Sequence, residues 1–98
     1  MDFEIADDDV ERLVFNDEGA ANYAKGIPKI IRRRIQTIQS APDEREFYKI
    51  KSLHFEKLKG NRSHQRSMRL NDQWRLILEI EDGNPTNKVI VKAIEDYH

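Results

Sequence analysis

Residues 66–80, RSMRLNDQWRLILEI, decide the fold class, because apolar and polar side chains alternate along them. One face of the alternation is apolar, and it is formed by Met68, Leu70, Trp74, Leu76, Leu78 and Ile80. A period of two is typical of a β-strand that buries one face. The interruption at residues 71–73 therefore predicts two antiparallel strands that are joined by a hairpin loop.

The shared apolar face also predicts the register of this hairpin. Both strands can bury the same face only if the loop has an odd number of residues, most simply residues 71–73. Leu70 then lies opposite Trp74. By the same count, Arg69 lies opposite Arg75 on the outer face, where two like charges are destabilising. We therefore expect an anion between these guanidinium groups, the alternative being that both extend into water and their repulsion is screened.

The segments upstream of the hairpin predict helices. Residues 27–41, IPKIIRRRIQTIQSA, carry isoleucines at three- and four-residue steps, and Pro28 suits a first helical turn. Residues 32–34 are three consecutive arginines, whose side chains point in successive directions around this helix, and we expect them to be solvated or to face a partner. The acidic stretch 7–15, DDDVERLVF, predicts a capped helical segment. Residues 41–52, APDEREFYKIKS, are interpreted as a connector.

Two further strands complete the predicted architecture. Residues 3–5, FEI, indicate a short strand, and residues 88–94, KVIVKAI, indicate a strand that is apolar on both faces and therefore central. Helices followed by an antiparallel meander give an α+β fold. We expect a single domain over residues 1–98, with the N-terminal helices packed on an antiparallel-rich sheet.

Composition excludes several classes of protein. The chain has 98 residues, of which 38% are hydrophobic and 36% are charged, so it is too apolar for a disordered tail. It lacks both an apolar run of the ~20 residues needed to span a bilayer and the pattern of a secretory signal. No membrane association and a cytoplasmic location are expected. Without cysteine, disulfides and thiolate catalysis are excluded.

Positive and negative charges are segregated along the chain despite a formal net charge of -1. Residues 1–20 contain eight acidic residues and one basic residue, whereas residues 48–75 contain eight basic residues and two acidic ones. If the two segments lie on different faces, the basic segment would attract a polyanion. A solvated, charge-rich surface is the alternative.

The basic segment contains the side chains suited to phosphate recognition. Guanidinium groups bind phosphate through two hydrogen bonds, and a nearby Lys adds a mobile point charge. Four of these cations are expected to surround one phosphodiester: Lys59, Arg62, Arg69 and Arg75. Two more from the same segment, Lys57 and Arg66, are expected to contact the same polyanion.

The last three residues contain the candidates for proton transfer. His98 is the natural candidate, because an imidazole is the side chain best suited to proton transfer near neutral pH, and Asp96 and Tyr97 stand beside it. A frayed end without function is the alternative. His54 and His64 have no ligand-like spacing to another His or Cys, so no metal is assigned, and no cofactor motif is present.

Residues 58–80, LKGNRSHQRSMRLNDQWRLILEI, followed by DYH at 96–98, resemble the HigB-type toxins of the RelE/ParE superfamily, also called plasmid-maintenance killer proteins. The resemblance implies a microbial RNase-like fold and a ribosome-dependent endoribonuclease that cuts messenger RNA without a metal. In that chemistry the ribose 2'-hydroxyl attacks the adjacent phosphorus. The resemblance makes Lys59, Arg62 and Arg75 the cations that face the phosphate.

The same resemblance implies that Asp96, Tyr97 and His98 form the catalytic group at the chain end. It also implies a HigA-type helix-turn-helix antitoxin as partner, with operator DNA bound only through the toxin-antitoxin complex. Some members carry a His where this chain has Glu56. Two alternatives stay open: a ParE-like inhibitor of DNA gyrase, and a noncatalytic RNA-binding regulatory module.

Overall fold

The computed structural model describes residues 1–23 and 25–96, in which three helices pack on a five-stranded mixed sheet. The helices are α1 (Asp8–Asn16), α2 (Ile27–Ser40) and α3 (Arg45–Lys49). The strands are β1 (Phe3–Ile5), β2 (Glu56–Lys57), β3 (Gln65–Arg69), β4 (Trp74–Glu81) and β5 (Lys88–Asp96). The α+β class predicted from the sequence is confirmed.

The sheet has the strand order β1-β5-β4-β3-β2. Strands β3, β4 and β5 form the predicted antiparallel meander. Strand β1 adds to β5 in parallel, and the short strand β2, which was not predicted, adds to the other edge. Strand β5 therefore has a neighbour on each side, which explains why it is apolar on both faces.

The predicted register of the β3–β4 hairpin is confirmed. Arg69 pairs with Arg75, and the backbone N–H of Leu70 donates to the carbonyl of Trp74 at 2.9 Å. The loop is residues 71–73, and its first residue closes it, because the Asn71 side-chain oxygen accepts two backbone N–H bonds at 2.8 Å. An Asn side chain that bonds its own downstream backbone is a common turn device.

The pairing of β4 with β5 changes by one residue in the middle of the two strands. Leu78 pairs with Val91, whereas Ile77 pairs with Ala93, so Lys92 is an extra residue in β5. This is the geometry of a β-bulge. Because side chains alternate between faces, the extra residue determines which side chains at the end of β5 share a face with β4.

Local signals explain the first two helices. The Asp7 carboxylate caps α1 by accepting the backbone N–H groups of Asp9 at 2.9 Å and Val10 at 3.0 Å. Helix α2 begins after Gly26, whose φ of 92° is readily adopted by glycine. The buried face of α2 matches the predicted isoleucine pattern and contains Ile27, Ile31, Ile35 and Ile38.

The interpretation of residues 41–52 as a connector was wrong. This segment contains α3 and a 3₁₀ turn, Lys51–Leu53. A five-residue helix is too short to show a repeating apolar pattern. It is anchored by Phe47, whose ring is fully buried and meets the ring of Phe55 edge-on at 5.2 Å, and the ring of Tyr48 also meets Phe55 edge-on, at 4.9 Å.

Of the arginines at residues 32–34, which were expected to be solvated or to face a partner, only Arg33 is exposed, and Arg32 and Arg34 are half-buried. Arg32 donates to the carbonyls of Leu13 and Val14 and to the Asp17 carboxylate, and so ties α2 to the end of α1. The Nε of Arg34 donates to the carbonyl of Arg69 at 3.0 Å. Burial lowers the pKa of Arg34, and repulsion from Arg33 and Arg69 lowers it further.

The core fills the space between the helices and the apolar face of the sheet. Its fully buried members include Leu13, Ile31, Phe47, Met68, Leu76 and Val91. No helix within residues 1–23 and 25–96 combines the length and the hydropathy that a bilayer-crossing segment requires.

Replacement of Phe47 by Ala tests the importance of this core. The ring is 0% exposed, so we expect the Phe47→Ala variant to lose about 3–5 kcal/mol of unfolding free energy. The matched control is Phe15→Ala, because Phe15 is 63% exposed and its loss should change stability by only about 0.5 kcal/mol. Urea denaturation measures both values, and equal effects of the two substitutions would contradict the assignment of Phe47 to the core.

Candidate active site

A cavity of about 210 Å³ lies on the sheet face that is turned away from α1 and α2. We call it the arginine cavity. It is lined by Leu58, Arg62, Ser67, Arg75, Ile77, Glu95 and Asp96. These residues come from β3, β4, the end of β5 and the loop between β2 and β3, so the fold assembles the cavity from segments that are distant in sequence.

Arg75 forms the floor of the arginine cavity and is only 9% exposed. Its Nη1 donates to the carbonyl of His54 at 3.1 Å and to the Ser67 hydroxyl at 3.4 Å. Its Nη2 lies 3.5 Å from an oxygen of Glu56, which the pairing of β2 with β3 brings to this face. A buried guanidinium that is held by several groups is preorganised to stabilise negative charge.

Arg62 lies at the rim of the cavity, in the 3₁₀ turn Gly60–Arg62. It forms a two-pronged ion pair with Glu95, with N–O distances of 2.9 and 2.7 Å. Its Nε donates to the Gln65 side-chain oxygen at 2.9 Å. The hydrogen bonds that Arg62 donates to the Glu95 carboxylate raise the pKa of the Arg62 guanidinium.

Carboxylates of the same chain lie beside both arginines of the Arg69–Arg75 pair, and an anion between the two guanidinium groups stays a prediction. Arg69 forms an ion pair with Asp72 in the hairpin loop, and the Arg75 guanidinium lies beside Glu56. Each cation therefore has a carboxylate of the same chain beside it. The basic segment, which looks open in the sequence, is largely neutralised at this face by local acids.

The other predicted cations do not all lie at the cavity. Lys59 is exposed and precedes the turn that carries Arg62, but it is not a lining residue. Lys57 pairs with Arg66, and Arg66 pairs with Leu78, so the alternation of side chains places both cations on the opposite face from Arg75. The structure thus brings Arg62, Arg75 and Asp96 together and separates Lys57 and Arg66 from them.

Comparison with known proteins identifies the family. Residues 3–98 match the HigB-like toxins, described as RelE-like toxins of type II toxin-antitoxin systems. The chain belongs to the HigB-like toxin family. A search of curated proteins returned no match. As a type II toxin, the chain is one half of a pair whose other half is an antitoxin.

Solved structures share the fold of this HigB-like toxin. A YoeB/ParE toxin from Agrobacterium tumefaciens is 14% identical, with a TM-score of 0.66 and full coverage of both chains. A conserved hypothetical protein from Helicobacter pylori, solved in solution, is 11% identical, with a TM-score of 0.55 over 99% of this chain and 94% of that one. At such identities the likeness concerns the fold alone.

The predicted catalytic group of the HigB-like toxin lies only partly within the described residues. Asp96 lines the arginine cavity, and Gln73 Nε2 donates to its Oδ2 at 3.0 Å. Tyr97 and His98 lie outside the described residues, so their roles stay predictions. His54 contributes its backbone carbonyl to Arg75, and His64 is exposed, 3.9 Å from Glu79.

Three residues of the arginine cavity and its surroundings were missed by the sequence analysis. They are Glu56, Ser67 and Glu95. The position of Glu56 depends on β2, which is only two residues long and gives no periodic signal. Ser67 lies in β3, on the same face as Arg69, and the alternation of that strand could have indicated it. Within the described residues there is no group of three or more His, Cys, Asp or Glu side chains arranged to hold a metal ion.

Proposed function

We propose that this HigB-like toxin is an endoribonuclease that cleaves messenger RNA in the cytoplasm, on translating ribosomes. The position of Arg75 carries the proposal, because it is a buried, multiply held guanidinium that faces a cavity next to Asp96. A cavity with this floor suits the phosphate of a polynucleotide. The sequence places Tyr97 and His98 directly after Asp96, which supports a role for all three in the same reaction.

The proposed reaction is transesterification within the RNA strand. The 2'-hydroxyl attacks the adjacent phosphorus, the bond to the 5'-oxygen of the next nucleotide breaks, and a cyclic phosphate and a 5'-hydroxyl remain. His98 moves a proton as base or acid, and Asp96 orients it. Arg75 stabilises the additional negative charge of the transition state, because it is fixed in place before the charge develops.

The remaining predicted cations and Tyr97 contact the RNA around the scissile bond. Arg62 lies in the turn at the rim and would contact a phosphate beside the scissile bond. Lys59, which precedes that turn, is proposed to stabilise the transition-state charge together with Arg75. Arg69, on the same face as Arg75, extends that contact. Tyr97 is proposed to stack on a base that is turned out of the message, since splayed bases commonly stack on aromatic side chains.

The proposed partners of the toxin are the ribosome, mRNA and an antitoxin. Message cleavage during translation requires the ribosome and mRNA as partners of the free toxin. We propose a HigA-type helix-turn-helix protein as the antitoxin, and contact with operator DNA only through their complex. Lys57 and Arg66, which lie on the other face of the sheet, are available for contacts with ribosomal RNA outside the cavity.

Mapping of RNA 5' ends after induction of the toxin tests the proposal. We expect new 5'-hydroxyl ends within coding regions, and we expect them to disappear from a reporter message whose start codon is mutated. Growth arrest without new RNA ends but with broken DNA would favour the gyrase inhibitor. Binding that is lost at high salt, without cleavage, would favour the noncatalytic RNA-binding module.

A further inference from the structure

The ion pair between Arg62 and Glu95 occupies the edge of Arg62 that suits a phosphate. Both Nη atoms of Arg62 bind Glu95, and Nε binds Gln65. A guanidinium recognises carboxylate and phosphate with the same two-pronged geometry. The Glu95 carboxylate therefore stands where an RNA phosphate would bind.

The charges of the described lining residues also oppose an incoming anion. Arg62 and Arg75 provide two positive charges, and Glu95 and Asp96 provide two negative charges. Glu56 adds a further carboxylate 3.5 Å from Arg75. A phosphate that enters this cavity meets these three carboxylates and two guanidinium groups, unless one carboxylate moves away.

Glu95 is the carboxylate whose movement would free the phosphate-binding edge of Arg62. Its side chain is 40% exposed and that of Arg62 is 41% exposed, and ion pairs this exposed contribute little net stability because water competes with them. Arg75, by contrast, is only 9% exposed and is fixed by neighbouring strands. Exchange of Glu95 for a phosphate would thus cost little, whereas displacement of Arg75 would disturb the sheet.

We propose that Glu95 is a specificity-determining residue that holds the phosphate-binding edge of Arg62 until an RNA phosphate replaces it. This inference rests on the proposed function, since it assumes that RNA is the ligand of the arginine cavity. When an isolated phosphate replaces Glu95, a contact between Arg62 and the phosphate forms, but the ion pair between Arg62 and Glu95 is lost. Only a longer RNA, held at the same time by Arg75 and by contacts outside the cavity, gains enough to displace Glu95.

Binding of an uncleavable RNA measures this exchange. The probe is a fluorescein-labelled, single-stranded ten-nucleotide RNA whose 2'-hydroxyls are methylated, and the readout is its dissociation constant by fluorescence anisotropy. We expect Glu95→Gln to bind it about tenfold more tightly than the wild type, which is the effect of one additional charge-assisted contact. Glu95→Asp, whose shorter carboxylate reaches Arg62 less well, should give a smaller gain.

Two controls separate the contact from a general effect of charge. Glu81→Gln removes one negative charge from the same sheet face at the far end of β4, and it should change affinity by less than about twofold. In an Arg62→Gln background, Glu95→Gln should also change affinity by less than about twofold, because the group that it releases is absent. Thermal unfolding checks that each variant is folded.

Several results would overturn the proposal. Glu95→Gln could bind the RNA no more tightly than Glu81→Gln, or more weakly than the wild type. The gain in affinity from Glu95→Gln could persist in the Arg62→Gln background, or neither the wild type nor Glu95→Gln could bind the RNA measurably. If Glu95→Gln does not fold, the same binding measurement is made with Glu95→Asp. An RNA affinity of Glu95→Asp equal to that of the wild type would then contradict the proposal. Message cleavage is measured separately, so loss of cleavage with a normal gain in binding would overturn the proposed function and leave the role of Glu95 intact.

Discussion

The Arg75→Ala variant should cleave messenger RNA about 10²–10³-fold more slowly than the wild type. A preorganised donor that is aimed at developing negative charge typically contributes this much to the rate. Arg75 is held by His54 and Ser67 on the floor of the arginine cavity, so its position is set before RNA binds. The measurement is the single-turnover cleavage rate of a reporter message on purified translating ribosomes.

Two further variants make the result for Arg75 specific. Arg33→Ala removes an exposed arginine from α2, on the other side of the sheet, and should leave the rate within about twofold of wild type. Arg75→Lys keeps the charge and the buried stem but lacks the fork of the guanidinium, so it should recover only part of the rate. A folded Arg75→Ala protein with the wild-type rate would contradict the assignment of Arg75 to the reaction.

The His98→Ala variant should lose about 10²–10⁴-fold in cleavage rate, the usual contribution of a positioned acid or base. We expect it to remain folded and still bind the antitoxin, which thermal unfolding and co-purification check. The rate is measured with the same reporter message. His64→Ala is the matched control, since His64 is an exposed histidine outside the arginine cavity, and its loss should leave the rate unchanged.

A modified substrate distinguishes the two proton-transfer roles of His98. When sulfur replaces the 5'-oxygen that leaves, the leaving group no longer needs a proton. Recovery of His98→Ala on this substrate would identify His98 as the acid, and no recovery would identify it as the base. Normal cleavage of ordinary RNA by a folded His98→Ala protein would refute both roles.

The fold was predictable because its decisive signals are local. Alternation along residues 66–80 fixes two strands, and the odd number of residues in the loop fixes their register, as the pairing of Arg69 with Arg75 confirms. The isoleucines of α2 likewise predict its buried face. Helix α3 and strand β2 were missed, since elements of five and two residues are too short to show a period.

The composition of the candidate site was less predictable, because it depends on one unpaired residue. If the register at the Lys88 end of β5 continued unchanged, Arg75 would pair with Ile94 rather than with Glu95. The bulge at Lys92 shifts the register and turns Glu95 toward Arg62. Nothing in the alternation of KVIVKAI marks this extra residue. The arginines were thus found from the sequence, and the carboxylates that neutralise them were not.

The sheet ends in very short strands on both sides, with three residues in β1 and two in β2. Long exposed edges offer a row of unsatisfied backbone groups on which another copy of a protein can add its own strand. Here the eight- and nine-residue strands lie inside the sheet, and each edge provides room for few such bonds. We expect the protein, once released from its antitoxin, to resist aggregation and to persist as a monomer.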